Sequence, residues 1–186
     1  MRIISGVARG TKLITLEGIA TRPTLDRIKE SLFSIIQNKI PNAVVLDLFA
    51  GSGALGIECL SRGALFCTFC DSSNKAIKVI KQNIEKTRML EKAVVIQADY
   101  ATCLKKISNQ KNSFDIIFLD PPYESNLIEK SIEKIIEFDL LKQDGIIIAE
   151  TDQLELVLEE IGKLQVKIID IRKYGRVKLV FLNRKG

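Results

Sequence analysis

Residues 44–56 read Val44-Val45-Leu46-Asp47-Leu48-Phe49-Ala50-Gly51-Ser52-Gly53-Ala54-Leu55-Gly56. They make an apolar run of strand length, an acid, a glycine-rich turn and the opening of a helix. A strand that passes straight into a helix is the first part of a βαβ unit, so a parallel sheet should follow. The alternation continues downstream. Strands are expected at 43–49, 65–70, 93–97, 114–119 and 145–150, separated by helices at 54–61, 74–87, 101–107, 127–138 and 154–162. Only four residues lie between the last two strand-like runs, 166–172 and 177–183, so they close as an antiparallel hairpin around Tyr174-Gly175. The expected fold is α/β and Rossmann-like, a mostly parallel sheet of about seven strands with an antiparallel C-terminal hairpin.

The first forty residues stand outside this alternation. Short strand-like pieces at 2–13 are broken by Gly6 and Gly10, and Leu25, Ile28, Leu32, Ile35 and Ile36 mark one face of a helix that begins after Pro23-Thr24. The organisation expected is a short N-terminal extension at 1–40 on a main domain at 41–186. With 186 residues, 46% of them hydrophobic, the chain can bury one sizeable core. No apolar run approaches the roughly 20 residues of a membrane span, and the N-terminus lacks the pattern of a signal peptide, so a cytoplasmic protein without membrane contact is expected.

The chain has no histidine, which excludes imidazole acid–base chemistry, Ser-His triads and histidine metal ligands. Cys67 and Cys70 have the C-x-x-C spacing of a metal or redox site. An odd offset along a strand puts two side chains on opposite faces, so no metal is expected there. The net charge of +5 is unevenly spread. Residues 1–30 hold six basic and three acidic side chains, and residues 170–186 hold six basic and one acidic. Basic ends on a compact domain would suit a phosphate backbone.

Gly51 to Gly56 satisfies G-x-G-x-x-G, and Asp71 follows Gly51 by 20 residues, as in a dinucleotide site. Asp47 argues against a pyrophosphate. A carboxylate just before the glycines would repel that anion, whereas it favours the cationic amino group and sulfonium of S-adenosylmethionine. The stretch Asp47-Leu48-Phe49-Ala50-Gly51-Ser52-Gly53 resembles motif I of the class I methyltransferases. The resemblance implies Asp47 and the Gly51 and Gly53 backbone near the methionine part, Asp71 on the ribose hydroxyls and Asp99 near the adenine amine, with Phe49 and Tyr100 in the same cofactor site.

Asp120-Pro121-Pro122-Tyr123 comes directly after the strand at 114–119. An exocyclic base amine is a poor nucleophile because its lone pair is delocalised into the ring. Two acceptors for its hydrogens, the Asp120 carboxylate and the Pro121 carbonyl, would aim that lone pair at a methyl donor. Pro122 would stiffen the turn and Tyr123 would stack on an extruded base. These four residues are the catalytic candidates. No cysteine adjoins them to attack a pyrimidine ring, so transfer to nitrogen is expected.

The stretches Arg2-Ile3-Ile4-Ser5-Gly6-Val7-Ala8-Arg9-Gly10-Thr11-Lys12-Leu13 and Thr21-Arg22-Pro23-Thr24-Leu25-Asp26-Arg27-Ile28-Lys29-Glu30-Ser31-Leu32-Phe33 resemble the N-terminal signature of the RsmD family. With the glycine loop, Asp71, Asp99 and Asp120-Pro121-Pro122-Tyr123, the resemblance spans nearly the whole chain. It implies a class I methyltransferase fold, S-adenosylmethionine as cofactor, and methylation of the N2 of a guanine in 16S ribosomal RNA. The N-terminal extension would help hold RNA, and Arg9, Arg22 and Arg27 are the candidate contacts. Ser72-Ser73 departs from the charged residue that often follows the ribose-binding acid. The substrate is expected to be 16S rRNA or the small ribosomal subunit, acted on by a monomer. The alternatives are an adenine or cytosine amino-methyltransferase acting on DNA or another RNA, and a non-catalytic RNA-binding assembly factor.

Overall fold

In the computed structural model, β1 (Val44–Asp47) pairs in parallel with β2 (Phe66–Asp71) on one side and β4 (Phe114–Leu119) on the other. The description covers residues 1–16, 23–122 and 126–185, with backbone alone for 23–25. Winding therefore proceeds outward from β1 to β2 and β3 (Ala93–Gln97), then restarts on the other side with β4 and β5 (Leu141–Thr151). The hairpin of β6 (Val166–Tyr174) and β7 (Val177–Arg184) completes a seven-stranded sheet in the order β3-β2-β1-β4-β5-β7-β6. β7 runs antiparallel to both of its neighbours. The expected fold class is the observed one.

Period-2 alternation sorts the strand residues into two cores, one on each face. Val45, Ile116, Phe118, Ile146, Ile148, Leu179 and Phe181 face the first. Leu46, Ile117, Leu119, Ile147, Ala149, Val180 and Leu182 face the second. The first face is covered by α1 (Pro23–Ile35), α2 (Ala54–Ser61) and α3 (Asn74–Lys86). α4 (Tyr100–Ser108), α5 (Leu127–Glu137) and α6 (Leu154–Ile161) cover the second. Cys67 lies in the first core and Cys70 in the second, as the odd spacing requires.

Two expectations need correction. β5 begins at Leu141, four residues early, because Leu141 pairs with Phe114 before a register shift leads into the regular ladder from Ile146. On α1, Ile35 is 38% exposed while Phe33 is fully buried beneath the Arg62 guanidinium, 4.8 Å from the ring centre. Among the described side chains the apolar stripe of α1 is thus Ile28, Leu32 and Phe33, continued by Ile36 just past its end; the side chain of Leu25 lies outside the description.

The N-terminal residues are not packed apart from the sheet. Arg2 bridges Lys12 in antiparallel fashion, and Ile3, Ala8 and Leu13 belong to the first core. Among the described residues no helix is long and apolar enough to cross a membrane.

Candidate active site

Open α/β sheets bind ligands outside the carboxyl ends of the strands, where the winding reverses. Here that crevice lies between β1, which ends at Asp47, and β4, whose end leads into Asp120. The turn after β1 uses left-handed backbone at Gly51 (φ 54°) and Gly53 (φ 78°), and Gly53 caps the start of α2. Gly56 serves packing: a Cβ there would sit 2.3 Å from Phe69 Cε1 and 2.6 Å from Cys67 Sγ. Only glycine lets α2 lie this close to β2.

Asp47 is buried and accepts a hydrogen bond from the Gly56 backbone N–H (3.0 Å). Loss of water raises its carboxyl to about 7; the Gly56 bond opposes this and the nearby Asp71 adds to it. Asp71 accepts from Gly51 N–H (2.9 Å) and Ser73 N–H (2.8 Å), so a carboxylate on β2 braces the glycine turn of β1. A carboxylate has about four lone-pair sites, which leaves acceptor capacity on Asp71.

Asp99 caps α4. It accepts from Thr102 N–H (3.0 Å) and from Thr102 Oγ1 (2.6 Å). These hydrogen bonds, the side-chain one first, hold its carboxyl below the usual range. Phe49 and Tyr100 pack against the second core, with ring centres 6.2 Å apart.

Asp120 opens to solvent yet is closely surrounded by protein, as befits the floor of a cleft. Its carboxyl is pushed well above the usual range, first by loss of water and then by the charges of Glu150 and Asp47. Pro121 is buried and Pro122 exposed. Tyr123 lies outside the described residues.

The N-terminal candidates divide. Arg9 and Arg27 meet, together with Arg2, around an open basin of about 390 Å³ that Asp26 and Glu30 also line. Arg22 lies outside the described residues.

Three residues of consequence escaped the sequence reading. Glu150 is the first charge acting on Asp120; the register that stacks Leu119 against Ala149 sets the two acids side by side on neighbouring strands. Glu58 is fully buried and accepts from Ile4 N–H (2.8 Å), Ser5 N–H (2.9 Å), Lys29 (3.0 Å) and Arg62 (2.8 Å). Asn83 binds Ile14 through both its amide groups and donates to the Ser52 carbonyl (2.9 Å). Through Asn83, the N-terminal segment and the glycine turn share one side chain. A signal existed for Glu58, a lone charge within the apolar helix Ala54–Ser61. Glu150 and Asn83 gave none, since their partners are set by register and tertiary packing.

The sequence matches the family described as Conserved hypothetical protein 95 over residues 1–183. The putative rRNA methyltransferase YlbH of Bacillus subtilis (strain 168) is 40% identical over 188 residues, covering 100% of each chain. Ribosomal RNA small subunit methyltransferase D of Haemophilus influenzae is 40% identical over 154 residues, covering 82% of this chain and 79% of that one. Among solved structures, a putative methyltransferase, yhhF, from Escherichia coli superposes with a TM-score of 0.83 at 31% identity, covering 100% of this chain and 98% of that one. Matched over nearly its full length, the chain belongs to this family, the RsmD family that its N-terminal signature resembles.

Proposed function

We propose that this protein methylates the exocyclic N2 amine of a guanine in 16S ribosomal RNA, using S-adenosylmethionine. The observation that carries the reading is the pair of sites on either side of the switch point: a glycine turn with a buried acid at the end of β1, and Asp120-Pro121 at the end of β4. The relatives named as rRNA methyltransferases support RNA as the substrate class.

The residues present fit the cofactor. Asp47 is buried, and that burial, with the nearby Asp71, raises its carboxyl to about 7. A cationic amino group or sulfonium would favour its ionised form, whereas a pyrophosphate would be repelled. We assign the methionine end to Asp47 and the Gly51 and Gly53 backbone, the ribose to Asp71, and the adenine end to Asp99, Phe49 and Tyr100. When bound, S-adenosylmethionine supplies an electrophilic methyl group.

The protein's own part is positioning and electrostatics. The ionised Asp120 carboxylate and the Pro121 carbonyl accept the two amine hydrogens and turn the nitrogen lone pair out of the base plane. Pro122 holds the turn, and Tyr123 offers a stacking face. Arg9 and Arg27 hold the RNA around the basin, and Arg22 is a third candidate contact.

The test offers tritiated cofactor to small ribosomal subunits, naked 16S rRNA and duplex DNA, followed by mass mapping of the labelled nucleotide. Label on guanine N2 in the RNA is the expected result; label on DNA, or on adenine or cytosine, overturns the reading. Asp120→Asn should lose at least a hundredfold in transfer, on the order of one lost transition-state acceptor, while cofactor affinity measured by calorimetry stays near the wild-type value.

A further inference from the structure

The two basic ends of the chain are tied together where α1 meets the β6–β7 hairpin. β5 and β7 pair with Glu150 opposite Leu179 and Thr151 opposite Lys178. Asp120 follows Leu119, which stands opposite Ala149 on β5. Asp120 is therefore level with Leu179, and the β6–β7 turn rises beyond it. Arg176 precedes Leu179 by three residues and sits two strands from β4. At about 3.3 Å per residue and about 4.8 Å per strand, the tip stands about 10 Å above Asp120 and about 10 Å to its side.

The tip is held in place. Gly175 takes the left-handed conformation of a tight hairpin turn (φ 62°), and Tyr174 and Val177 pack against the first core. The Tyr174 hydroxyl is hydrogen-bonded to the Ser31 hydroxyl of α1. Ser31 lies one helical turn from Arg27, which lines the N-terminal basin. Arg172, two residues from Tyr174, shares its face of the sheet and is braced by Asp170 at 2.8 Å. Both Arg172 and Arg176 are exposed.

This arrangement answers an electrostatic problem. The acceptor site brings Asp120 beside Glu150, and in their ionised forms these carboxylates repel a polyanion. Cations on the rim offset that repulsion by binding the phosphates that flank the entering base. Guanidinium groups supply charge and a planar fork that matches phosphate.

We propose that the β6–β7 hairpin is a second RNA-holding element, in which Arg172 and Arg176 bind phosphates of the strand whose base enters the Asp120 site. The basin lined by Arg2, Arg9 and Arg27 holds the flank on the other side of the Ser31–Tyr174 tie. The inference rests on the RNA methyl-transfer reading above.

The experiment compares wild type, R172A/R176A and R172K/R176K for binding to naked 16S rRNA across a salt series, for methyl transfer to the same RNA, and for cofactor binding by calorimetry. In the alanine variant RNA affinity should fall about tenfold or more, and the slope of log affinity against log salt should flatten by about 1.4 to 1.8, two phosphate contacts' worth. Cofactor affinity should not change. The lysine variant should recover the slope, because it restores the charge. Wild-type affinity and slope in the alanine variant, with the wild-type enzyme methylating the RNA, would overturn the inference alone. A wild-type enzyme that labels no RNA overturns the underlying reading and the inference with it.

Discussion

Asp47 and Asp120 are both acids whose surroundings raise their carboxyls, Asp47 to about 7, and the two bear differently on stability and activity. With its carboxyl at about 7 in the fold, against 3.8 ordinarily, Asp47 binds its proton more tightly folded than unfolded. Its stabilising contribution is thus complete below about pH 4 and is lost as pH rises through about 7. Asp47→Asn keeps an acceptor for Gly56 N–H and escapes that loss. Urea melts at pH 8 should show the cofactor-free variant more stable than wild type, by an amount on the order of a few kcal/mol, with the gain shrinking toward pH 4. Cofactor binding should weaken, since the anion is gone. For Asp120 the readout is rate. Once protonated, the carboxyl presents a donor where the amine needs an acceptor, so transfer at saturating cofactor should rise with pH through its raised pKa. Glu150→Gln removes the neighbouring charge and should move that acid limb to lower pH. A limb that stays in place shows that Glu150 does not act on Asp120. Asp47 and Asp120 could be nominated from sequence because each adjoins a motif whose proposed chemistry calls for an acid. Glu150 was not, because its role follows from a strand register that no local pattern specifies.

At the scale of elements, α2 is where the glycine turn, the sheet and the N-terminal segment join. Its two unusual residues can be tested separately. Gly56→Ala would press a methyl into Phe69 and Cys67, both buried and without room to yield. A loss of about 1–3 kcal/mol is expected in denaturant melts, with cofactor affinity falling as α2 shifts. Glu58→Gln leaves Lys29 buried without its counter-ion and should cost about 3–5 kcal/mol. Lys29 already has a lowered pKa through burial, opposed by Glu58. In the variant it is lowered further, so the folded state binds fewer protons than the unfolded one and the deficit should ease as pH rises. Hydrogen exchange should also speed up at Ile4 and Ser5, whose amides lose a charged acceptor. Most strand and helix positions could be read from periodicity alone, down to the bounds of Phe114–Leu119. Periodicity failed where pairing is irregular, at Leu141, and where a cation covers a ring, at Phe33. Neither cause is local in sequence.

For the whole molecule, the sequence suggests a boundary near residue 40, and the packing suggests how the two parts depend on each other. Ile3, Ala8 and Leu13 are buried in the same core as Ile57, Phe118 and Phe181, and the first residues satisfy Glu58, Ser61 and Asn83. One face of the sheet thereby gathers the N-terminal basin, the acceptor acids and the anchored side of the β6–β7 tip. On the proposed reading, basic residues at opposite ends of the chain would serve one opening. The same packing ties the N-terminal segment, the proposed surface for RNA, to the glycine turn through Asn83. Removing residues 1–16 would expose two large aliphatic side chains' worth of core, about 1.5–3 kcal/mol each. It would also strip two backbone donors from a buried carboxylate, a further penalty of about 1–3 kcal/mol for each unsatisfied group. Against a total stability of about 5–15 kcal/mol, that is a loss of the same order as the whole. A 17–186 fragment should therefore show no cooperative melt and no cofactor binding, whereas alanine at Arg9 and Arg27 should leave both intact and weaken only RNA binding. If instead the fragment binds cofactor with full-length affinity, the segment is a detachable arm, and the link from Ile14 through Asn83 to the glycine turn has no bearing on the cofactor site.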